Sequence, residues 1–152
     1  IRQAVAVSRE YFTRQGIFEN SLYEGIDALL GDLTATGYTL HIATSKPRIF
    51  AERILEHFGI AGYFSSVGGT GLDGSLPTKA DVIADVLTRN GITALDSVLM
   101  IGDRKYDVLG ARTVGIDSFG VLYGYGSREE LETAGANRIV HTVDELRRLL
   151  AG

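Results

Sequence analysis

Apolar and polar residues alternate along this chain in two rhythms, and the switches between them mark its elements. Ile26, Leu29, Leu30 and Leu33 fall on one face of a helix that Gly37 stops. Tyr38 to Ala43 then reads as a strand, and Pro47 suits the first turn of a helix with Ile49, Phe50, Ile54, Leu55 and Phe58 on its buried face. Phe64 to Gly74 reads as a short strand and a glycine-rich loop. Thr78 with Asp81 three residues on resembles a capping box, opening a helix at Lys79 that runs through Val82, Ile83, Val86 and Leu87. Ser97 to Ile101 is a near-continuous apolar run, as expected of a central parallel strand covered on both faces. A helix from about Arg104 to Val114 and a strand from Ser118 to Leu122 follow. Ser127 with Glu130 and Thr142 with Glu145 open two last helices, with a short strand, Arg138 to Val140, between them.

Strands alternating with helices predict an α/β fold, a Rossmann-like three-layer αβα arrangement around an open parallel sheet. Residues 1 to 15 differ. Ala4, Val7 and Tyr11 keep helical spacing, with Val5 and Phe12 beside them, which predicts the tail of an earlier helix. The first residue is Ile1 and the sole methionine is Met100, so the chain is expected to continue upstream.

Composition narrows the functional classes. At 45% hydrophobic and 22% charged residues over 152 positions, one ordinary globular core is expected. No run approaches the roughly 18 apolar residues of a membrane helix, so no membrane partner and a cytoplasmic location are expected. A net charge of −4 gives no basic footprint for nucleic acid. Without cysteine, a metal site has to use oxygen or histidine.

Open parallel sheets bind ligands beyond the carboxyl ends of their strands, which selects Thr44-Ser45-Lys46 and Gly102-Asp103. The first group sets two hydroxyls and an ammonium before a helix N-terminus, where free N–H groups favour an anion. It is a phosphate cradle or an ordinary capping turn. In the second group, Asp103 and Asp107 stand four apart and point the same way on a helical turn. They suit Mg²⁺, which takes one or two protein carboxylates; otherwise Asp103 is an N-cap and Asp107 a surface carboxylate. Lys79 opens a helix, where its charge opposes the dipole, so another use for it is expected.

Gly69 to Gly74 matches GxGxxG but lies mid-chain and meets Ser-Leu-Pro instead of a helix, so nucleotide binding is not expected there. His41, His57 and His141 show no metal-ligand spacing. Tyr123-Gly124-Tyr125-Gly126 faces the crevice side, as a substrate or cap contact or a plain turn.

Thr44, Lys79 and the GDxxxD of Gly102 to Asp107, in this order, resemble motifs II, III and IV of the haloacid dehalogenase superfamily. ATSKP, MIGDRKYD and GVLYGYGSREELETAGA are similar to its phosphoglycolate phosphatase branch. The resemblance covers roughly residues 20 to 150 and implies that residues 1–20 end a helical cap domain and its linker, while 21–152 form the catalytic core. It implies that Thr44, with Ser45 and Lys46, binds the phosphoryl group of a small phosphorylated metabolite and that Lys79 offsets its charge. Asp103 would ligate Mg²⁺, and Asp107 would support the metal or hold Lys79. The implied activity is Mg²⁺-dependent hydrolysis of a small phosphomonoester through an aspartyl-phosphate; 2-phosphoglycolate is the first candidate, and pyrophosphate, a 5′-nucleotide or a sugar phosphate stays open.

The family's motif I, a strand ending in DxDG, supplies the nucleophile, and no DxD occurs in this sequence. The nucleophile is therefore expected upstream, on a strand between the one ending at Thr44 and the one ending at Asp103. Without it, both would lack a neighbour, and the 152 residues alone would be inactive. The alternatives are a phosphomutase of the same superfamily and a non-catalytic phosphate-binding module.

Overall fold

Val98–Gly102 is buried at every position, and its side chains alternate between two hydrophobic layers. That pattern fixes it near the centre of a sheet covered on both faces. The structure is a computed structural model that describes residues 4–7, 13–15, 20–22 and 24–152, and side chains from residue 24 onward. The strands are β1 (Ala4–Val7), β2 (Thr13–Gln15), β3 (Asn20–Leu22), β4 (Thr39–Pro47), β5 (Phe64–Thr70), β6 (Val98–Gly102), β7 (Asp117–Val121) and β8 (Arg138–Val140). The helices are α1 (Ile26–Thr36), α2 (Arg48–His57), α3 (Lys79–Arg89), α4 (Lys105–Val114), α5 (Arg128–Ala134) and α6 (Val143–Leu150). Six strands form one sheet in the order β5-β4-β1-β6-β7-β8, every pair parallel, while β2 and β3 form a separate antiparallel pair.

One layer gathers Leu40, Ile42, Leu99 and Ile101 of the sheet with Ile26, Leu29, Leu30 and Leu33 of α1 and Leu146 of α6. The other gathers Ala43, Val98 and Met100 with Val82, Ile83, Val86 and Leu87 of α3 and Ala111 of α4. Each Val, Leu, Ile or Met side chain among these contributes on the order of 1.5–3 kcal/mol when removed from water, which holds both helical layers against the sheet. The three-layer αβα arrangement is the one the periodicity predicts. Gly37 ends α1 as expected: at φ 107° it takes the left-handed conformation, and its N–H returns to the carbonyls of Leu33 and Thr34.

The N-terminal region departs from expectation. Ala4–Val7 is a strand, not a helix, and it pairs with both β4 and β6, placing Val7 level with Ile42 and Ile101. The two interior strands expected to lack a neighbour therefore share one. Ala-Val-Ala-Val satisfies two open ladders at once, and that pairing outweighs the helical spacing of its apolar residues. Thr13–Gln15, inside the same expected helix, is also a strand. The rest of that helix, residues 1–3 and 8–12, lies outside the described residues.

Smaller shifts affect the site. β4 runs on to Pro47, with a change of register against β5 between Ala43 and Pro47, so Thr44 to Lys46 are its irregular end. Pro47 is the N-cap of α2 and not its first helical residue, and Arg104, not Asp103, is the N-cap of α4.

Candidate active site

The carboxyl ends of β4 and β6 bring Thr44 and Asp103 to the same edge of the sheet, with the N-terminus of α3 against them. Thr44 is fully buried, and its hydroxyl accepts a hydrogen bond from the N–H of Lys46 at 3.1 Å, so the strand end curls into a Ser/Thr turn. Ser45 and Lys46 are exposed.

Lys79 opens α3 behind the capping box of Thr78 and Asp81, in which the Thr78 hydroxyl takes the N–H of Asp81 and the Asp81 carboxylate takes that of Thr78. Its side chain is drawn inward. Nζ lies 2.7 Å from Asp107 Oδ1 and donates to the carbonyl of Ala43, next to Thr44, at 3.4 Å. The cost of an ammonium at a helix N-terminus is offset by this buried ion pair.

Asp107 is fully engaged. While Oδ1 meets Lys79, Oδ2 accepts the N–H groups of Asp103 at 3.1 Å and Arg104 at 3.2 Å. Gly102 makes this possible, because a Cβ there would collide with the Asp107 side chain. Asp107 is thus the brace of the site: it ties the loop after β6 to Lys79. The reading of Asp107 as a surface carboxylate is excluded by its 2% exposure.

Asp103 is fully buried, and its Oδ2 accepts the N–H of Tyr125 at 2.7 Å. A Cβ at Gly124 would strike its side chain and one at Gly126 its carbonyl oxygen, so the Tyr-Gly-Tyr-Gly turn is moulded onto this residue. Lys79, Asp103 and Asp107 line one pocket of about 360 Å³, with Ser45, Tyr106 and Tyr125 at its mouth. Neither Thr44 nor Lys46 is among its lining residues. Other clefts are larger, but this one holds the buried charges, whose interactions are strongest where water is excluded. Among the described residues no group of three or more His, Asp or Glu side chains is placed to hold a metal ion.

A family model described as haloacid dehalogenase-like hydrolase matches residues 6–121, most of the chain. The chain belongs to this family. Among its relatives, a 5′-nucleotidase of Pseudomonas aeruginosa is 39% identical over 148 residues, covering 97% of this chain and 66% of that protein. A phosphoglycolate phosphatase of Vibrio parahaemolyticus is 31% identical over 143 residues, covering 93% and 62%. A predicted phosphatase from Clostridium acetobutylicum has a crystal structure that superposes with a TM-score of 0.84 at 51% identity, covering 93% of this chain and 65% of that one. The chain therefore spans somewhat under two thirds of the length of these haloacid dehalogenase-like relatives. No described helix is long and apolar enough to cross a membrane.

Two contacts of this hydrolase-family site escape sequence reading, although the turn from Tyr123 to Gly126 was expected to face the crevice. Tyr125 acts through its main-chain N–H, which any residue but proline would supply. Glu130 looked like the second half of a capping box with Ser127, and half of that box exists: the Ser127 hydroxyl accepts the N–H of Glu130 at 3.0 Å. The Glu130 carboxylate turns instead to Arg104 and the N–H of Lys105. Arg104 holds that carboxyl below the ordinary carboxylate range, with the Lys105 N–H adding to the effect.

Proposed function

We propose that the protein hydrolyses a small phosphomonoester with Mg²⁺, in the manner of a phosphoglycolate phosphatase, with 2-phosphoglycolate the first substrate to test. The observation that carries this reading is the buried Lys79 ammonium, fixed between the end of β4 and Asp107, beside the buried carboxylate of Asp103. Such a constellation suits phosphoryl transfer, in which charge spreads over the transferred oxygens and fixed donors and cations stabilise it.

In this reading Ser45 meets the phosphoryl oxygens from the pocket wall, Thr44 and Lys46 have to reach them from the strand end outside the pocket's lining, and Lys79 offsets their charge. Asp107 keeps Lys79 aimed. Asp103 would hold Mg²⁺: its buried carboxylate is a hard oxygen donor, oriented by the N–H of Tyr125. When bound, the metal supplies charge neutralisation at the phosphoryl group.

In this reading the attacking group is an aspartate outside these 152 residues, and because Ala4–Val7 fills the place between β4 and β6 where its strand was expected, it has to reach the site from another position. The central strand Ala4–Val7 is followed by Ser8-Arg9-Glu10, which contains none, and no DxD occurs in the chain. An aspartyl-phosphate formed on that residue is then opened by water. A cytoplasmic location belongs to the same proposal.

The test is phosphate release from 2-phosphoglycolate, a 5′-nucleotide and p-nitrophenyl phosphate by the full-length protein, with Mg²⁺ and with EDTA. Mg²⁺-dependent release of inorganic phosphate is expected, and none from the 152 residues alone. Transfer of the phosphoryl group between two positions of a hexose phosphate would mark a mutase, and binding without turnover a sensing module.

A further inference from the structure

The Glu130 carboxylate reaches across 26 residues to the loop that follows Asp103. Its Oε2 accepts from Arg104 Nε at 2.8 Å and from the N–H of Lys105 at 2.8 Å, and Oε1 takes a longer bond from Arg104 Nη2 at 3.4 Å. Arg104 and Lys105 are the two residues immediately after Asp103. From the same segment, the N–H of Tyr125 holds the Asp103 carboxylate, and Gly126 packs against the Asp103 carbonyl. The stretch from Gly124 to Glu130 thus grips the Asp103 loop at its side chain, its main chain and the residues beyond it.

Two alternatives account for less. A helix-capping role would send the Glu130 carboxylate back to the start of α5, but it points to α4 instead. A stabilising surface ion pair is also a poor description, because the Arg104 and Glu130 side chains are 41% and 22% exposed, and water-exposed pairs contribute little. What the contact supplies is geometry: a carboxylate bound to one guanidinium and one main-chain N–H fixes the direction of the loop between them.

We propose that Glu130 is a positioning residue of the phosphoryl site, holding the Asp103 loop through Arg104 and the Lys105 N–H so that the Asp103 carboxylate is preset for Mg²⁺. This rests on the reading of Asp103 as the metal ligand given above. Residues that orient a metal ligand without touching the metal typically change affinity by about 10–100-fold when removed.

The experiment compares wild type, Glu130→Ala, Glu130→Gln and Glu129→Ala in the full-length protein. Mg²⁺ affinity is measured by titration calorimetry, amide exchange at Tyr125 by NMR, and kcat and KM by phosphate release. Glu130→Ala is expected to weaken Mg²⁺ by about 10–100-fold, to speed exchange at Tyr125 and to lower kcat more than it raises KM. Glu130→Gln keeps an acceptor for Lys105 and should fall between; it also serves if the alanine variant does not fold. Glu129→Ala, on the neighbouring exposed position, should match wild type. Wild-type Mg²⁺ affinity and Tyr125 exchange in the Glu130 variants, whatever their melting temperatures, would overturn the proposal. A wild type that binds Mg²⁺ without releasing phosphate would sink the phosphatase reading alone, with Glu130 still judged by affinity and exchange. A wild type that binds no Mg²⁺ would overturn both.

Discussion

Lys79 Nζ and Asp107 Oδ1 meet at 2.7 Å with their side chains 5% and 3% exposed, so each is the other's means of staying charged away from water. Breaking such a pair from one side leaves a buried charge uncompensated, at a cost of about 3–5 kcal/mol. Asp107→Ala should therefore destabilise the fold by that amount in urea unfolding, and more than Asp107→Asn, which keeps an acceptor for the N–H groups of Asp103 and Arg104. The exposed pair of Asp144 and Arg147 is the control, and Asp144→Ala should unfold close to wild type. Equal effects at the two sites would show that the Lys79 pair is not sealed.

Gly124 gives a prediction about shape alone. A methyl group there would overlap the Cβ and carboxylate of Asp103, so Gly124→Ala has to move the turn or the carboxylate. The chemistry of the site is untouched, yet catalysis depends on placement to within about 0.5 Å. Turnover is expected to fall by about 10²-fold or more, and a crystal structure of the variant should show Asp103 displaced. Unchanged turnover would mean that the turn yields without disturbing Asp103.

The parts that were legible in sequence are those whose signal is local. Val98 to Ile101 announced a central strand because an unbroken apolar run has few other uses, and Thr78 with Asp81 announced a helix start through a capping box that is fully formed. Lys79 and Asp103 could be picked out as neighbours because strand ends and helix starts mark the crevice, and the structure brings both to one pocket, though not Thr44. Ala4–Val7 was misread because its strand character comes from two ladders, at Thr39–Ile42 and Val98–Ile101, that local spacing does not contain. Glu130 was misread for the same reason: its partner is 26 residues away, and a residue three after a serine looks like half of a cap. For Asp107, sequence left open whether it bound metal or held Lys79, and its three short contacts favour the latter.

His41 carries a prediction about pH. It sits 2% exposed on β4, with Nδ1 at 2.8 Å from the Ser66 hydroxyl, which also takes a bond from Asn90; no carboxylate contacts its ring among the described residues. Burial pushes its imidazole below the ordinary value of 6.5. Below that value the unfolded chain takes up a proton that the folded protein refuses, so stability is full above pH 6.5 and declines as the pH falls towards the lowered native pKa. Urea midpoints between pH 5 and 8 should show this decline, and His41→Gln should flatten it. A slope that survives in His41→Gln would assign the effect to other groups.

The most direct test of the site is Asp103→Asn in the full-length protein, assayed by phosphate release at millimolar Mg²⁺. Asparagine is nearly isosteric and can still accept the N–H of Tyr125, so the fold should be retained while one anionic metal ligand is lost. The account predicts loss of Mg²⁺-dependent turnover with a circular dichroism spectrum like that of wild type. Turnover within about threefold of wild type would contradict the assignment of Asp103 as the metal ligand, and with it the reading of Gly102 to Asp107 as the catalytic loop.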